Sequence, residues 1–139
     1  MQWLERIPDL DGRTAVMGVI NCTPDSFYAE SRCTTLAAAL ATAEDMIAAG
    51  VDIIDIGGES SRPGAQPVVE QEELARVLPL IEAIRQRSAI PLSIDTYKMP
   101  VARAALDAGA DMVNDIYALR GNAAMGKLVA ARAVPVILM

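Results

Sequence analysis

Hydrophobic positions along this chain follow two spacings that take turns. Short apolar runs at 16–20, 53–56, 92–94 and 112–113 are each followed by a longer stretch in which apolar residues recur every three or four positions. The runs have the length and composition of strands buried on both faces, and the longer stretches have helical period. Leu36, Leu40, Ala43 and Ile47 form the first helical face, with Thr34 or Thr35 available as cap and Gly50 as stop. The next helix is predicted to start at 70–73, where acidic side chains complement the helix dipole, and to bury Leu74, Val77, Leu78, Ile81 and Ile84. Pro79 falls inside this pattern and predicts a kink or a division. A third helix is predicted from Pro100, with Val101, Ala104, Ala105 and Ala108 inward, and a weaker fourth over 122–131. A fifth apolar run occupies 134–139.

Two helix ends repeat one connection, Ala49-Gly50-Val51-Asp52 and Ala108-Gly109-Ala110-Asp111, in which a glycine suited to the left-handed cap leads at once into a strand. Strand–helix alternation with right-handed crossovers predicts an α/β fold of parallel strands, (β/α)₄ plus one strand, in a single domain over 1–139. A (β/α)₈ TIM barrel takes about 250 residues, roughly twice this length. Open doubly wound sheets are also built at this size, and the pattern alone does not separate the two. The ending Val136-Ile137-Leu138-Met139, with neither helix nor polar cap after it, favours the first half of a TIM barrel, C-terminally truncated.

Composition narrows the partners. A net charge of −6 argues against a nucleic-acid surface or an anionic membrane. No uncharged apolar run approaches the ~18 residues of a membrane span. Residues 1–12 carry four charges and no apolar core, unlike a signal peptide. Cys22 and Cys33 form no metal or redox spacing and read as reduced thiols of a cytoplasmic protein. There is no histidine, which removes Ser-His-Asp, Cys-His and His-zinc chemistry from this segment.

Chemistry-bearing residues gather where the apolar runs end. The first run leads into Asn21-Cys22-Thr23-Pro24-Asp25-Ser26-Phe27, the second into Gly57-Gly58-Glu59-Ser60-Ser61-Arg62-Pro63-Gly64, the third into Asp95-Thr96 and the fourth into Asn114-Asp115. In (β/α) folds ligands bind at the carboxyl ends of the strands, so these clusters describe one site drawn from distant parts of the chain. Asn21 offers a hard oxygen suited to Mg²⁺, or else closes an Asx-turn around Pro24. The glycine- and serine-rich stretch with Arg62 suits a phosphate, or else is a rigid surface turn. Glu59 pairs locally with Arg62 or acts on a substrate. Asp95 and Asn114 end consecutive strands and together offer a carboxylate and a carboxamide to a planar, donor-rich ring such as a 2-amino-pyrimidinone; alternatively Asp95 caps the next helix, in competition with Thr96. Asp115 is assigned to backbone or to Arg120.

In this order the four stretches, from Met17-Gly18-Val19-Ile20-Asn21 through Asp55-Ile56-Gly57-Gly58-Glu59 and Ser93-Ile94-Asp95-Thr96 to Val113-Asn114-Asp115-Ile116, resemble the dihydropteroate synthases. That family is a (β/α)₈ barrel joining p-aminobenzoate to 6-hydroxymethyl-7,8-dihydropterin diphosphate in folate synthesis. The resemblance implies that Asn21 binds Mg²⁺, that Ser61 and Arg62 meet the diphosphate, and that Asp95 and Asn114 hold the pterin. It implies that Thr23, Pro24, Phe27 and Pro63 belong to loops closing over p-aminobenzoate, that Arg62 and Asp25 carry the catalysis, and that the full-length protein is a homodimer. The chain departs from the family's pattern in three places. Phe27 is followed by Tyr28-Ala29-Glu30-Ser31 where the family usually has Ser-Asp-Gly-Gly, and Ser61 stands for the usual Thr. The family's later Asp, Lys and Arg-x-His positions lie outside this segment. Two alternatives share the ring-holding pair: a methyltetrahydrofolate:corrinoid methyltransferase-like barrel, which has no use for the Ser60-Ser61-Arg62 loop, and a non-catalytic pterin-binding paralogue or fragment.

Overall fold

In the computed structural model of this chain, the described residues are 12–23 and 35–139. Strands β1 (Met17–Asn21), β2 (Ile53–Gly57), β3 (Leu92–Asp95), β4 (Met112–Asp115) and β5 (Val136–Leu138) alternate with helices α1 (Leu36–Ala48), α2 (Glu70–Arg85), α3 (Met99–Ala108) and α4 (Ala123–Arg132). All strand pairs are parallel and the sheet order is β1-β2-β3-β4-β5. This order decides between the two architectures left open by the pattern. A doubly wound sheet reverses its order at a switch point, whereas here each strand adds beside its predecessor. The helices follow suit, α1 packing on α2, α2 on α3 and α3 on α4. The winding is that of the first part of a (β/α)₈ barrel.

Local signals place the helix ends. Thr35 caps α1, its hydroxyl accepting from the Ala38 N–H at 3.3 Å, and Asn122 caps α4 through Ala124 N–H at 2.9 Å. Gly109 ends α3 at φ +116°, a conformation that any side chain would strain. Pro79 does not divide α2, which runs unbroken on both sides of it.

The inward faces differ in detail from the periodic expectation. On α2 the fully buried residues are Glu73, Val77, Leu80, Ile81 and Ile84, while Leu74 and Leu78 are only partly covered. Glu73 is tolerated on this buried face by its ion pair with Lys98. On α1 the deepest residues are Ala39 and Ala43, and Leu36 is 46% exposed. Small residues let α1 lie close to β1, where a Cβ on Gly18 would sit 2.7 Å from Met46 Sδ. On α3, Ala102 is buried in place of Ala104. Among the described residues no helix is long and apolar enough to cross a membrane.

The core lies between the helices and one face of the sheet. Its centre is a cross-strand row, Ile20, Ile56, Ile94 and Val113, in register and buried against Val77, Ile81, Val101 and Ala105. Immediately past this row, Gly58 carries the chain out of β2 against α2. A Cβ there would lie 2.9 Å from both Glu73 Cγ and Val77 Cγ1, and 3.2 Å from the Glu73 carbonyl oxygen. Because backbone as well as side chain would have to move, Gly58→Ala is expected to cost about 1–3 kcal/mol. Urea unfolding should show a lower midpoint at unchanged slope; an unaltered midpoint would contradict this close approach.

Candidate functional site

One residue beyond the apolar row, the register turns polar. Asn21 pairs with Gly57, Gly57 with Asp95, and Asp95 with Asn114. Since side chains alternate between faces, these residues project from the face opposite the helices, at the carboxyl ends of neighbouring strands. Gly57 leaves a gap between its neighbours: a Cβ there would lie 3.4 Å from Asp95 Oδ2 and 3.5 Å from Asn21 Oδ1. The predicted convergence of Asn21, Asp95 and Asn114 is therefore present in the geometry.

Ser61 and Arg62, on the loop after β2, join Asp95, Tyr97 and Tyr117 around a cleft of about 170 Å³. Pro63 stands exposed on the same loop. Thr23 is buried and lines a separate groove with Glu72 and Arg76. Ser60, Ala65 and Pro67 border both spaces, so the loop after β2 is the wall between them. Asp25 and Phe27, like Pro24 and the stretch 28–31, lie outside the described residues.

That wall is held by an ionic network. Glu59 accepts from Tyr97 Oη at 2.6 Å, from Lys98 Nζ at 2.6 Å and from the Val68 N–H at 2.7 Å. Lys98 Nζ also donates to Glu73 Oε2 at 2.6 Å and lies 4.6 Å from the centre of the Tyr97 ring. Tyr97 in turn meets Tyr117 edge to face, centroids 5.1 Å apart. Burial works against both charges, yet the partners prevail: Lys98 is held well above the usual ammonium range and Glu59 below the usual carboxylate range. Glu59 lines the same cleft and, through these bonds, ties the loop after β2 to the segment after β3. Arg76 adds a second tie by donating to the Gly58 carbonyl at 2.8 Å.

Behind Asp95 lies a buried polar floor. Asp55, in the middle of β2, accepts from Asn114 Nδ2 at 3.1 Å, and both are buried, as is Ser93 on the strand between them. Asp55 Oδ1, Ser93 Oγ and Asn114 Oδ1 have no hydrogen-bond partner among the described residues. Burial raises Asp55, with the Ser93 hydroxyl and the Asn114 amide restraining the rise; the hydroxyl lies near the carboxylate without closing a well-formed hydrogen bond.

Asp95 is pushed up to about 7, first by burial and then by the charges of Asp55, Glu73, Asp115 and Glu59. It does not cap α3: the cap position belongs to Lys98, and Thr96 Oγ1 accepts the Lys98 N–H at 3.2 Å. Asp115 accepts the Tyr117 and Leu119 N–H groups, both at 2.9 Å, as the backbone assignment expects. Burial lifts the Cys22 thiol to about 11, which leaves it a poor nucleophile. Among the described residues no three His, Cys, Asp or Glu side chains converge on a metal position.

Asp55, Glu73, Tyr97 and Lys98 were not singled out from the sequence. Asp55 had a signal, a charge inside the apolar run Ile53-Ile54-Asp55-Ile56. Glu73 is one position from Leu74, an expected inward residue.

Comparison with known proteins agrees with this geometry. Residues 17–139 match the family model described as "Pterin binding enzyme". The dihydropteroate synthase of Streptococcus pyogenes serotype M1 is 49% identical over 130 residues, 94% of this chain and 49% of the relative. The dihydropteroate synthase of Clostridium difficile, solved in the presence of pteroic acid, superposes with a TM-score of 0.86 at 45% identity over 92% of this chain and 49% of its own. That of Xanthomonas albilineans, solved with indole-2-carboxylic acid and 6-chloroguanine, gives 0.83 at 48% identity over 92% of this chain and 47% of its own. The same enzyme with 4-aminobenzoic acid gives 0.84 at 50% identity, over 92% and 46%. The chain spans about half the length of the curated relatives it matches.

Two variants test the electrostatics. Folded Asp95 holds its proton to about pH 7, whereas an unfolded aspartate releases it near pH ~4. Between these values the folded state binds more protons, so its stability falls as pH rises. Asp95→Asn should therefore gain in melting temperature over the parent as pH goes from about 4 to about 8; a difference that does not vary with pH would argue against the raised value. Lys98→Met strands buried Glu73 and is expected to cost about 3–5 kcal/mol, with Lys98→Arg recovering much of it in the same denaturation assay.

Proposed function

Because the chain belongs to the pterin binding enzyme family, we propose that its strand-end site takes 6-hydroxymethyl-7,8-dihydropterin diphosphate and joins it to p-aminobenzoate with release of diphosphate. The observation that carries this reading is the register row Asn21, Gly57, Asp95, Asn114, with Ser61 and Arg62 bordering the cleft beside Asp95.

The ring end of the ligand fits the acceptors. Asp95 lines the cleft, and the buried oxygens Asp55 Oδ1, Ser93 Oγ and Asn114 Oδ1 have no partner among the described residues, an acceptor-rich setting that suits a 2-amino-substituted pyrimidine edge. Pteroic acid, present with one neighbour, and 6-chloroguanine, in complex with another, share that 2-amino edge while differing at the ring carbonyl. The anionic end needs different company, because burial and the neighbouring carboxylates already disfavour negative charge at Asp95. Arg62 and the Ser61 hydroxyl on the loop supply donors for it.

Asn21 fits as a Mg²⁺ ligand. Its carbonyl oxygen opens onto the gap above Gly57, and Mg²⁺ takes few protein oxygens, completing its shell with water and phosphate oxygens. When bound, the ion supplies positive charge to the leaving diphosphate. Thr23, Phe27 and Pro63 belong to the p-aminobenzoate side, and Asp25 to the catalytic loop, by resemblance; Phe27 and Asp25 lie outside the described residues.

In the reaction the C–O bond between the pterin methylene and diphosphate breaks, its electron pair leaving with diphosphate. The arylamine lone pair forms the new C–N bond, and the amine loses a proton to water. Arg62 stabilises charge that grows on the leaving group, a contribution larger in the transition state than in the bound substrate. No strong base is required of the chain, since a neutral arylamine is nucleophilic already.

The test is diphosphate release by the full-length protein with the pterin diphosphate and Mg²⁺, with and without p-aminobenzoate. Release should require p-aminobenzoate, and Arg62→Ala should lower kcat/KM by about 10²-fold with Arg62→Lys intermediate. Release that ignores p-aminobenzoate, or binding that is indifferent to the diphosphate, would direct the assignment to another pterin-barrel activity.

A further inference from the structure

Asp55 and Asn114 belong to strands β2 and β4, with β3 between them. Strands one apart stand about 4.8 Å from each other, so the Asp55–Asn114 bond reaches across a whole intervening strand. It can do so because the residue it crosses is Ser93, small and buried. A carboxylate accepts hydrogen bonds and does not donate them. The Asn114 amide must therefore turn its Nδ2 toward Asp55, which leaves Oδ1 facing the other way, buried and without a partner among the described residues. Asp55 Oδ1 and Ser93 Oγ are left in the same condition. A buried oxygen without a partner calls for a donor, and the ring edge of a ligand at this site carries donors.

Resting on the pterin reading of this site, we infer that Asp55 acts as a positioning residue: it fixes the direction of the Asn114 amide, so that the site selects a ring edge that donates hydrogen bonds and rejects one that accepts them. Asn114 by itself has no such preference, since an amide turned over presents an NH₂ group where the oxygen was. Asp95, beside Asn114 in register, presents a carboxyl group to the same space, and discrimination at C2 of the ring depends on the direction Asp55 imposes.

Two ligands that differ on the C2 edge test this: 6-hydroxymethylpterin, and its analogue with a carbonyl at C2 in place of the amino group and a proton on N1. Asp55→Asn is isosteric and can donate as well as accept, which frees Asn114 to turn over. Titration calorimetry on the full-length protein should show the preference for the 2-amino ligand falling by about 10-fold or more in Asp55→Asn, chiefly because the carbonyl analogue binds better. Equal weakening of both ligands, or an unchanged ratio, is what a merely structural Asp55 predicts and would overturn the inference. A second measurement needs no variant. In the unaltered, ligand-free protein the Asn114 side-chain NH₂ resonances, assigned by triple-resonance NMR, should exchange slowly with solvent. Exchange as fast as that of exposed amides would equally overturn it. If the unaltered protein binds neither pteridine, the pterin reading fails, while these resonances still decide whether Asp55 holds the amide.

Discussion

Parallel pairing in continuous register is the constraint on which this structure rests. Ile20, Ile56, Ile94 and Val113 align because burying them against one layer of helices permits no other alignment; a slip of one residue would send each to the opposite face. The same alignment places Asn21, Gly57, Asp95 and Asn114 side by side one position later. The polar row is thus a geometric consequence of the apolar one. Hydrophobic burial, which carries no chemical information, aligns the groups that do.

Charge divides the site into two regions. The strand ends and floor are rich in acceptors, Asp95 at the cleft and Asp55 and Asn114 buried behind it, and burial together with the neighbouring carboxylates raises Asp95 to about 7. Cationic groups stand farther out, on the loop with Arg62 and in the Lys98 tie behind it. A ligand with a donor-bearing ring at one end and an anion at the other matches this polarity in one orientation only. Lys98 does more than neutralise: by binding Glu59 and Glu73 together it joins α2, the loop after β2 and the segment after β3 into one wall.

Some of this was legible along the chain. Asn21, Asp95 and Asn114 could be read because each follows an apolar run directly, and strand ends in this class of fold share one rim. The inward faces of the helices were legible in part, with Ala43, Val77, Ile81, Ile84, Val101 and Ala105 buried as the spacing expects. On α2, Leu74 and Leu78 gave way to Glu73 and Leu80, and Glu73 is buried beside Lys98, 25 residues farther along, a partner about which periodicity carries no information. The bonds of Glu59 to Tyr97 and Lys98 were hidden for a related reason: those partners lie 38 and 39 residues away in sequence. Asp55 was absorbed into a strand as one polar letter among isoleucines.

What the sequence determined by itself was the alternation of strand and helix, the parallel class of the sheet, and the polar residues at the strand ends, since each depends on local spacing and on which side chains avoid water. What only the tertiary structure decided was the strand order, hence a barrel-type winding over a doubly wound one, and the pairing of buried polar groups. Both depend on which distant segments meet. The energy of a buried carboxylate is set by the partner that reaches it, here an asparagine 59 residues away across an intervening strand.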